Sequence, residues 1–280
     1  MNVSTKPLSI SRLTANIGVE VGGVDLRNGV TSGVLDLLRA AVAEHHVIVF
    51  RDQFLSAEEH AVVARAFGPI QPSPVQLATG TGAASGSVST IEDTAARPPA
   101  GFPWHSDLSW LREPPALGFL SAVLIPSSGG DTIWASNTAI FDALPPRIQE
   151  LCERSTVLHT PDPSLLASVA RHHGTAVADR LRREQPGAEH PLVRRHPRTG
   201  RRHLFLSPLY ATHIVGPAGA DGSLLSDLHA MLDELSVQLR WSWRDGDFVV
   251  WDESSTCHRA LTDHYPQRRV MRRCTTSATR

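Results

Sequence analysis

Short apolar runs bounded by turn residues recur along the chain, and no other feature constrains its fold as much. Val47-Ile48-Val49-Phe50, the stretch from Leu117 to Ile125, Asp131-Thr132-Ile133-Trp134 and Phe248-Val249-Val250-Trp251 are the clearest. Runs of this length are too short for fully buried helices and read as strands covered on both faces. Gly129-Gly130 and Asp245-Gly246 turn the chain into two of them. Local helices separate the strands. Thr31 is placed to cap a run with Val34, Leu35, Leu38, Ala41 and Val42 at helical spacing. Ser56-x-x-Glu59 is a capping box for a helix that carries Val62, Val63, Ala66 and Phe67 inward and stops at Gly68-Pro69. Asn137 opens a helical stretch that restarts at Pro145-Pro146, and Ser223 starts a helix with Leu224, Leu225, Leu228, Leu232 and Leu235 on one face. The expected fold is mainly β with flanking helices, a sandwich or jelly roll.

No internal repeat and no Pro/Gly/Ser linker divides the 280 residues, so 1–280 reads as a single domain. Residues 72–100, with the small-residue centre ATGTGAASGSVST at 78–90, are expected to form a flexible loop. Gly80-x-Gly82 within it has Ser85 in the third glycine position and no helix-forming run behind it, so a dinucleotide fingerprint is rejected. Residues 160–202, rich in Arg, His, Pro and Gly, read as an insertion or lid over one end of the fold.

Composition removes several chemistries. Of 27 Lys and Arg residues only Lys6 is a lysine, which leaves 26 arginines and excludes a P-loop or a Schiff-base lysine. A formal charge of −1 gives no global basic field, so neither nucleic acid nor an anionic membrane is an expected partner. Cys152, Cys257 and Cys274 are odd in number and lack CxxC spacing, which argues against disulfides and structural zinc and fits a reducing cytoplasm. The N-terminal MNVSTKPLSI has no apolar signal region.

Trp104-His105-Ser106-Asp107 places an imidazole and a carboxylate two residues apart, on one side of an extended backbone. Composition alone produces such a pair by chance, and a lone histidine is more often structural. His258, just beyond the Phe248–Trp251 run, supplies a third ligand. Two histidines and a carboxylate occupy one face of an octahedral Fe(II), leaving three positions for a bidentate cosubstrate and oxygen. Arg269 and Arg273 differ by four and share one face of a strand, with Arg268 and Arg272 on the other. A guanidinium binds carboxylates bidentately, so two inward arginines suit two anions.

Beyond these pieces, the ordered set Val49-Phe50-Arg51-Asp52-Gln53, Phe67-Gly68-Pro69, Trp104-His105-Ser106-Asp107, Gly129-Gly130-Asp131-Thr132, His196-Pro197-Arg198-Thr199-Gly200-Arg201, Trp251-Asp252, His258-Arg259-Ala260 and Gln267-Arg268-Arg269 resembles the TauD/TfdA family of Fe(II)- and 2-oxoglutarate-dependent dioxygenases over nearly the whole chain. The resemblance implies a double-stranded β-helix (jelly-roll) core, with His105, Asp107 and His258 as iron ligands. It implies that Thr132 and Arg269 hold the distal carboxylate of 2-oxoglutarate and that Arg273 faces an acidic group of the substrate. It further implies consumption of O2, release of succinate and CO2, and oxidation of an unactivated C–H of a small anionic molecule in a homo-oligomer, a dimer or tetramer.

Ser73 and Gly101 stand where taurine-using relatives carry His and Asn, which disfavours taurine. Leu204-Phe205-Leu206-Ser207-Pro208-Leu209 and the His-Ser-Asp triplet are closer to the branch acting on aryloxyalkanoates and other carboxylates. Ser73 and Trp104 are candidate substrate contacts, with Phe102, Trp110 and Trp134 as further candidate pocket walls. Glu253-Ser254 replaces the Asn-Arg usual after Trp-Asp, a departure with no explanation at this level. Desaturation and cyclisation follow from the same hydrogen abstraction as hydroxylation. Halogenation is disfavoured because Asp107 takes the position a halide needs. A metal- or sugar-binding jelly roll without catalysis, and a zinc hydrolase, are alternatives from other classes.

Overall fold

The computed structural model describes residues 7–79, 87–218 and 220–278. A seven-stranded sheet runs in the order β1 (Ser9–Arg12), β2 (Val19–Gly22), β3 (Val47–Phe50), β13 (Phe248–Asp252), β5 (Leu117–Leu124), β15 (Arg269–Thr276) and β4 (Ser89–Asp93). Within it only β2 and β3 pair in parallel. A three-stranded sheet of β12 (Gln238–Trp241), β6 (Thr132–Ser136) and β14 (Thr256–Ala260) shares an apolar layer with it. Smaller sheets are formed by β11 (Ala211–Val215), β7 (Thr156–His159) and β8 (Ala188–Pro191), and by β10 (Arg202–Leu204) with β9 (Val193–Arg195). Helices α1 (Ser32–His45), α2 (Ala57–Phe67), α3 (Pro74–Thr79), α4 (Asn137–Ala143), α5 (Pro146–Glu153), α6 (Pro163–His173), α7 (Thr175–Glu184) and α8 (Gly222–Ala230) flank the sheets. The molecule is thus sheet-rich with flanking helices.

The middle of the large sheet is buried on both faces because β3 is apolar at every position and β13 at every position but its last, Asp252. Val47 and Val49 of β3, with Val249 and Trp251 of β13, point to the layer shared with the small sheet, where they meet Trp134, Trp241, Trp243 and Met271. Ile48, Phe50, Phe248 and Val250 point the other way and pack under α1 and α2 against Leu38, Val42, Val63 and Phe67. This is the period-2 alternation of a strand. Each such side chain, fully buried, contributes about 1.5–3 kcal/mol. Both expected N-caps form: Thr31 accepts from Val34 N, and Ser56 with Glu59 closes the capping box.

Several local expectations are corrected. On α2 the inward residues are His60, Ala61, Val63, Ala64 and Phe67, whereas Val62 is 52% exposed. The helix from Ser223 ends at Ala230, and two short 3-10 turns follow, which leaves Leu235 84% exposed instead of on the buried face. The stretch expected as a flexible loop holds α3 and β4 at its sides, and Gly80 to Gly86 lie outside the described residues. Within 160–202, α6 and α7 pack on each other and α3 packs on α7. Among the described residues no helix is long and apolar enough to cross a membrane.

Candidate active site

His258 lies in β14, and His105 joins that strand through a reciprocal backbone pair, His105 N to His258 O at 3.0 Å and His258 N to His105 O at 2.7 Å. This is the hydrogen-bonded pairing of an antiparallel ladder, which sets two side chains side by side. Their ring centroids are 4.3 Å apart. Two residues on, the chain leaves the bridge and turns at Asp107 and Leu108, where Leu108 has φ +48°. Asp107 Oδ1 sits 3.5 Å from His105 Nε2 and 3.8 Å from His258 Nε2. One ligand atom from each of the three residues lies within 4.8 Å of the others, and all three residues are buried.

The donor set fits a hard-to-borderline divalent metal such as Fe(II). His105 Nδ1 lies 2.8 Å from Pro103 O, so that nitrogen donates and Nε2 keeps its lone pair. Burial lowers the His105 pKa to about 4 and places that of His258 well below the usual value, so both rings are neutral at physiological pH, as ligands must be. Arg273 pairs with Asp107 Oδ2. Arg273, expected to face an acidic group of the substrate, lies on the cavity wall and also holds the second oxygen of the Asp107 carboxylate. Burial lowers the Arg273 pKa to about 10.

A cavity of about 160 Å³ opens beside the triad, lined by His105 and His258, by Thr132, Arg269 and Arg273, and by apolar walls that include Phe102 and Leu120. The side chains of Arg269, Met271 and Arg273 all line it, as their shared parity on β15 requires. Arg269 is buried, with Nε and Nη2 lacking any partner and Nη1 4.0 Å from Asp93 Oδ2. Unpaired buried donors are costly, so this guanidinium is suited to an anion entering the cavity. Gly130, with φ +74°, allows the close approach: a Cβ there would lie 3.1 Å from Arg269 Nε. Thr132 Oγ1 accepts from Trp243 Nε1 at 2.9 Å, which leaves its own proton to donate.

Two candidate contacts lie elsewhere. Trp104 is turned away from the cavity, its Nε1 donating to Asp233 Oδ1 at 2.9 Å and its ring under the Arg259 guanidinium. As the immediate neighbour of His105 in an extended segment it faces the opposite side. Ser73 accepts from Val75 N at 3.2 Å at the start of α3 and does not line the cavity. Trp110 packs with Tyr210 in a separate core cluster, whereas Phe102 and Trp134 do line the cavity. Cys257 Sγ donates to Leu206 O at 3.1 Å, away from the triad, and all three cysteines are buried free thiols.

Sequence reasoning missed Asp93 and His264, which line the cavity beside Arg269 with His264 Nε2 3.3 Å from Asp93 Oδ2. It also missed Trp251 and Met271, of which Met271 shares strand parity with Arg269. Glu253 is the last omission: it is buried, its Oε2 accepts from Asp107 N at 2.9 Å, and burial followed by the neighbouring Asp252 raises its carboxyl well above the usual range.

Comparison with known proteins agrees with this geometry. The chain is 30% identical over 275 residues to an alpha-ketoglutarate-dependent sulfate ester dioxygenase of Pseudomonas putida, covering 96% of this chain and 89% of the relative. It is 32% identical over 274 residues to an alpha-ketoglutarate-dependent 2,4-dichlorophenoxyacetate dioxygenase of Cupriavidus pinatubonensis, covering 92% and 93%. The crystal structure of AAD-2 in complex with Mn(II) and N-oxalylglycine superposes with a TM-score of 0.78 at 26% identity, covering 98% of this chain and 99% of that one. A family model described as taurine catabolism dioxygenase TauD, TfdA family matches residues 9–275. With a buried His-Asp-His group beside an arginine-lined cavity and a family match along almost its full length, the chain belongs to the TauD/TfdA family and is an alpha-ketoglutarate-dependent non-haem iron dioxygenase.

Proposed function

We propose that this enzyme oxidises an unactivated C–H of a small organic anion, most simply by hydroxylation, with His105, Asp107 and His258 holding one Fe(II), Thr132 and Arg269 the distal carboxylate of 2-oxoglutarate, and Arg273 the anionic group of the substrate. The observation that carries this reading is the unpaired, buried Nε and Nη2 of Arg269 in the same cavity as the triad. Iron held by these three residues would supply oxygen activation coupled to decarboxylation of the cosubstrate. The protein binds, orients and keeps water out.

Thr132 adds a neutral donor, fixed by Trp243, to the charge of Arg269. Arg273 serves two anions, bracing Asp107 while lying on the cavity wall. Ile91, Pro99, Phe102, Leu261 and Met271 give the cavity an apolar lining suited to a hydrocarbon skeleton. A carboxylate or a sulfur oxyanion can accept charge-assisted hydrogen bonds from the Arg273 guanidinium. Sulfate esters and 2,4-dichlorophenoxyacetate, named for two relatives, are thus substrates to try first. The two facing sheets are read as the double-stranded β-helix, and cytoplasmic residence in a homo-oligomer belongs to the same reading. Ser73 and Trp104 drop out as direct substrate contacts.

The test is succinate release from 2-oxoglutarate against a panel of carboxylates, sulfonates and sulfate esters, for wild type and Arg273→Ala. Substrate-stimulated succinate should appear with an anionic member, and the variant should need a higher concentration of it. Stimulation only by uncharged compounds would overturn the role of Arg273.

A further inference from the structure

We propose that Glu253 is a positioning residue of the metal centre: through its side chain it holds the Asp107 backbone, and so fixes the metal-binding carboxylate relative to the two histidines. This rests on the assignment of His105, Asp107 and His258 as ligands.

The ligand segments are tied together at two places. One is the backbone pair between His105 and His258. The other lies two residues along, where Glu253 Oε2 accepts the Asp107 N–H at 2.9 Å. The intervening residue is held from the same side, since Ser106 Oγ donates to Glu253 O and Ser106 N donates to Ser207 Oγ at 3.1 Å. Glu253 belongs to the turn between β13 and β14, and β14 delivers His258. A single hairpin therefore supplies one ligand directly and orients another.

A purely structural role explains this less well. Glu253 is 1% exposed, and sinking a carboxyl group into a protein interior is costly unless it is hydrogen-bonded. Its Oε2 bonds run to the metal-binding turn, at Asp107 N and more distantly at Ser106 Oγ, 3.4 Å away, while Oε1 is buried without a hydrogen-bond partner. The surroundings are shaped for it: a Cβ on Gly118 would lie 2.7 Å from Glu253 Oε1, and Glu253 N is anchored on Ala116 O at 3.0 Å. Glu253 does not line the cavity, so it touches neither substrate nor cosubstrate. The departure from the family's Asn at this position thereby gains a physical account.

The probe is Mn(II) alone, titrated anaerobically and followed by electron paramagnetic resonance, with melting of the metal-free protein measured in parallel. Glu253→Gln keeps an oxygen for the Asp107 N–H and should bind within about threefold of wild type, whereas Glu253→Met leaves that N–H unpaired and should weaken binding about 10- to 100-fold. Glu253→Asp, which withdraws the acceptor by one methylene at constant charge, should behave like Met and carries the test if the Met variant does not fold. A structural role alone would lower the melting temperature of the metal-free protein and leave the affinity of the folded fraction unchanged. Folded Met or Asp variants with wild-type affinity, or a Gln variant as weak as Met, would overturn the proposal. If wild type binds no Mn(II), or Asp107→Ala binds it undiminished, the ligand assignment fails first and takes the proposal with it.

Discussion

Replacing Arg269 with Met separates the demands of folding from those of binding. Met keeps much of the volume of the stem and removes a guanidinium whose Nε and Nη2 are buried without partners. Each unsatisfied buried donor costs about 1–3 kcal/mol. Burial lowers the pKa of this arginine, opposed by Asp93 and Asp131, and the nearer of these carboxylates keeps His264 at 3.3 Å when the arginine is gone. The ligand-free variant is therefore expected to melt no lower than wild type. With 2-oxoglutarate present the order reverses, because a charge-assisted pair in a dry site is worth about 2–4 kcal/mol, or about 30- to 900-fold in Kd. The assay is anaerobic thermal melting with Mn(II), with and without 2-oxoglutarate. At about 100 times its Kd the ligand stabilises wild type by about 2.7 kcal/mol, and most of that gain should vanish in the variant. A variant that melts far below wild type without ligand, yet keeps the full ligand-induced shift, would make Arg269 a structural strut and refute the reasoning.

Further outcomes follow from packing and titration. Gly118→Ala places a Cβ 2.2 Å from the Trp251 ring, so it should cost at least about 1–3 kcal/mol in urea unfolding and perturb Trp251 emission; an unchanged midpoint would show that β5 yields there. His46, His60, His159 and His203 are held neutral mainly by burial, with pKa values of about 4, 3, 3 and 4. In the unfolded chain they ionise near 6.5, so their contribution is complete above that pH and is lost as the pH falls toward 4, up to about 3 kcal/mol each. The melting temperature should drop steeply between pH 6.5 and 4, and a flat profile would contradict the burial of these rings. Burial raises the Cys152 thiol to about 11 and Cys274 to about 12, and raises Cys257 as well, so the native protein should resist thiol reagents that label it once unfolded. Rapid native labelling would mean that one of these sites opens.

The parts legible in the sequence are those set by short-range periodicity. Continuous apolar runs marked β3, β5 and β13, and the even spacing of Arg269 and Arg273 put both on the cavity wall. The His105, Asp107 and His258 group is legible from its residue types and spacing, although Asp107 lies at a turn and not in a continued strand. Asp93 is not: it ends a polar strand, Ser-Thr-Ile-Glu-Asp, whose strand partner among the described residues is β15, with Asp93 opposite Arg269 far along the chain. His264 sits in a connecting turn with no periodic signal of its own. Trp104 follows strand alternation and not its nearness in sequence to His105, and Leu235 continues the leucine spacing past the point where the α-helix gives way to 3-10 turns. Glu253 stood out as a departure from a pattern, but its meaning required the distance to Asp107 N.

In the proposed arrangement His105, Asp107 and His258 would hold Fe(II) beside the cavity in which Arg269 grips the far end of 2-oxoglutarate. Anaerobic addition of Fe(II) and then 2-oxoglutarate, followed by visible absorption, tests it most directly, since a bidentate 2-oxo acid on Fe(II) gives a metal-to-ligand charge-transfer band. The band should saturate at one equivalent of iron in wild type, be absent from folded Asp107→Ala and His258→Ala, and in Arg269→Met require a far higher concentration of 2-oxoglutarate. A well-folded, iron-loaded wild-type protein without the band, or a band undiminished in the ligand variants, would contradict the account.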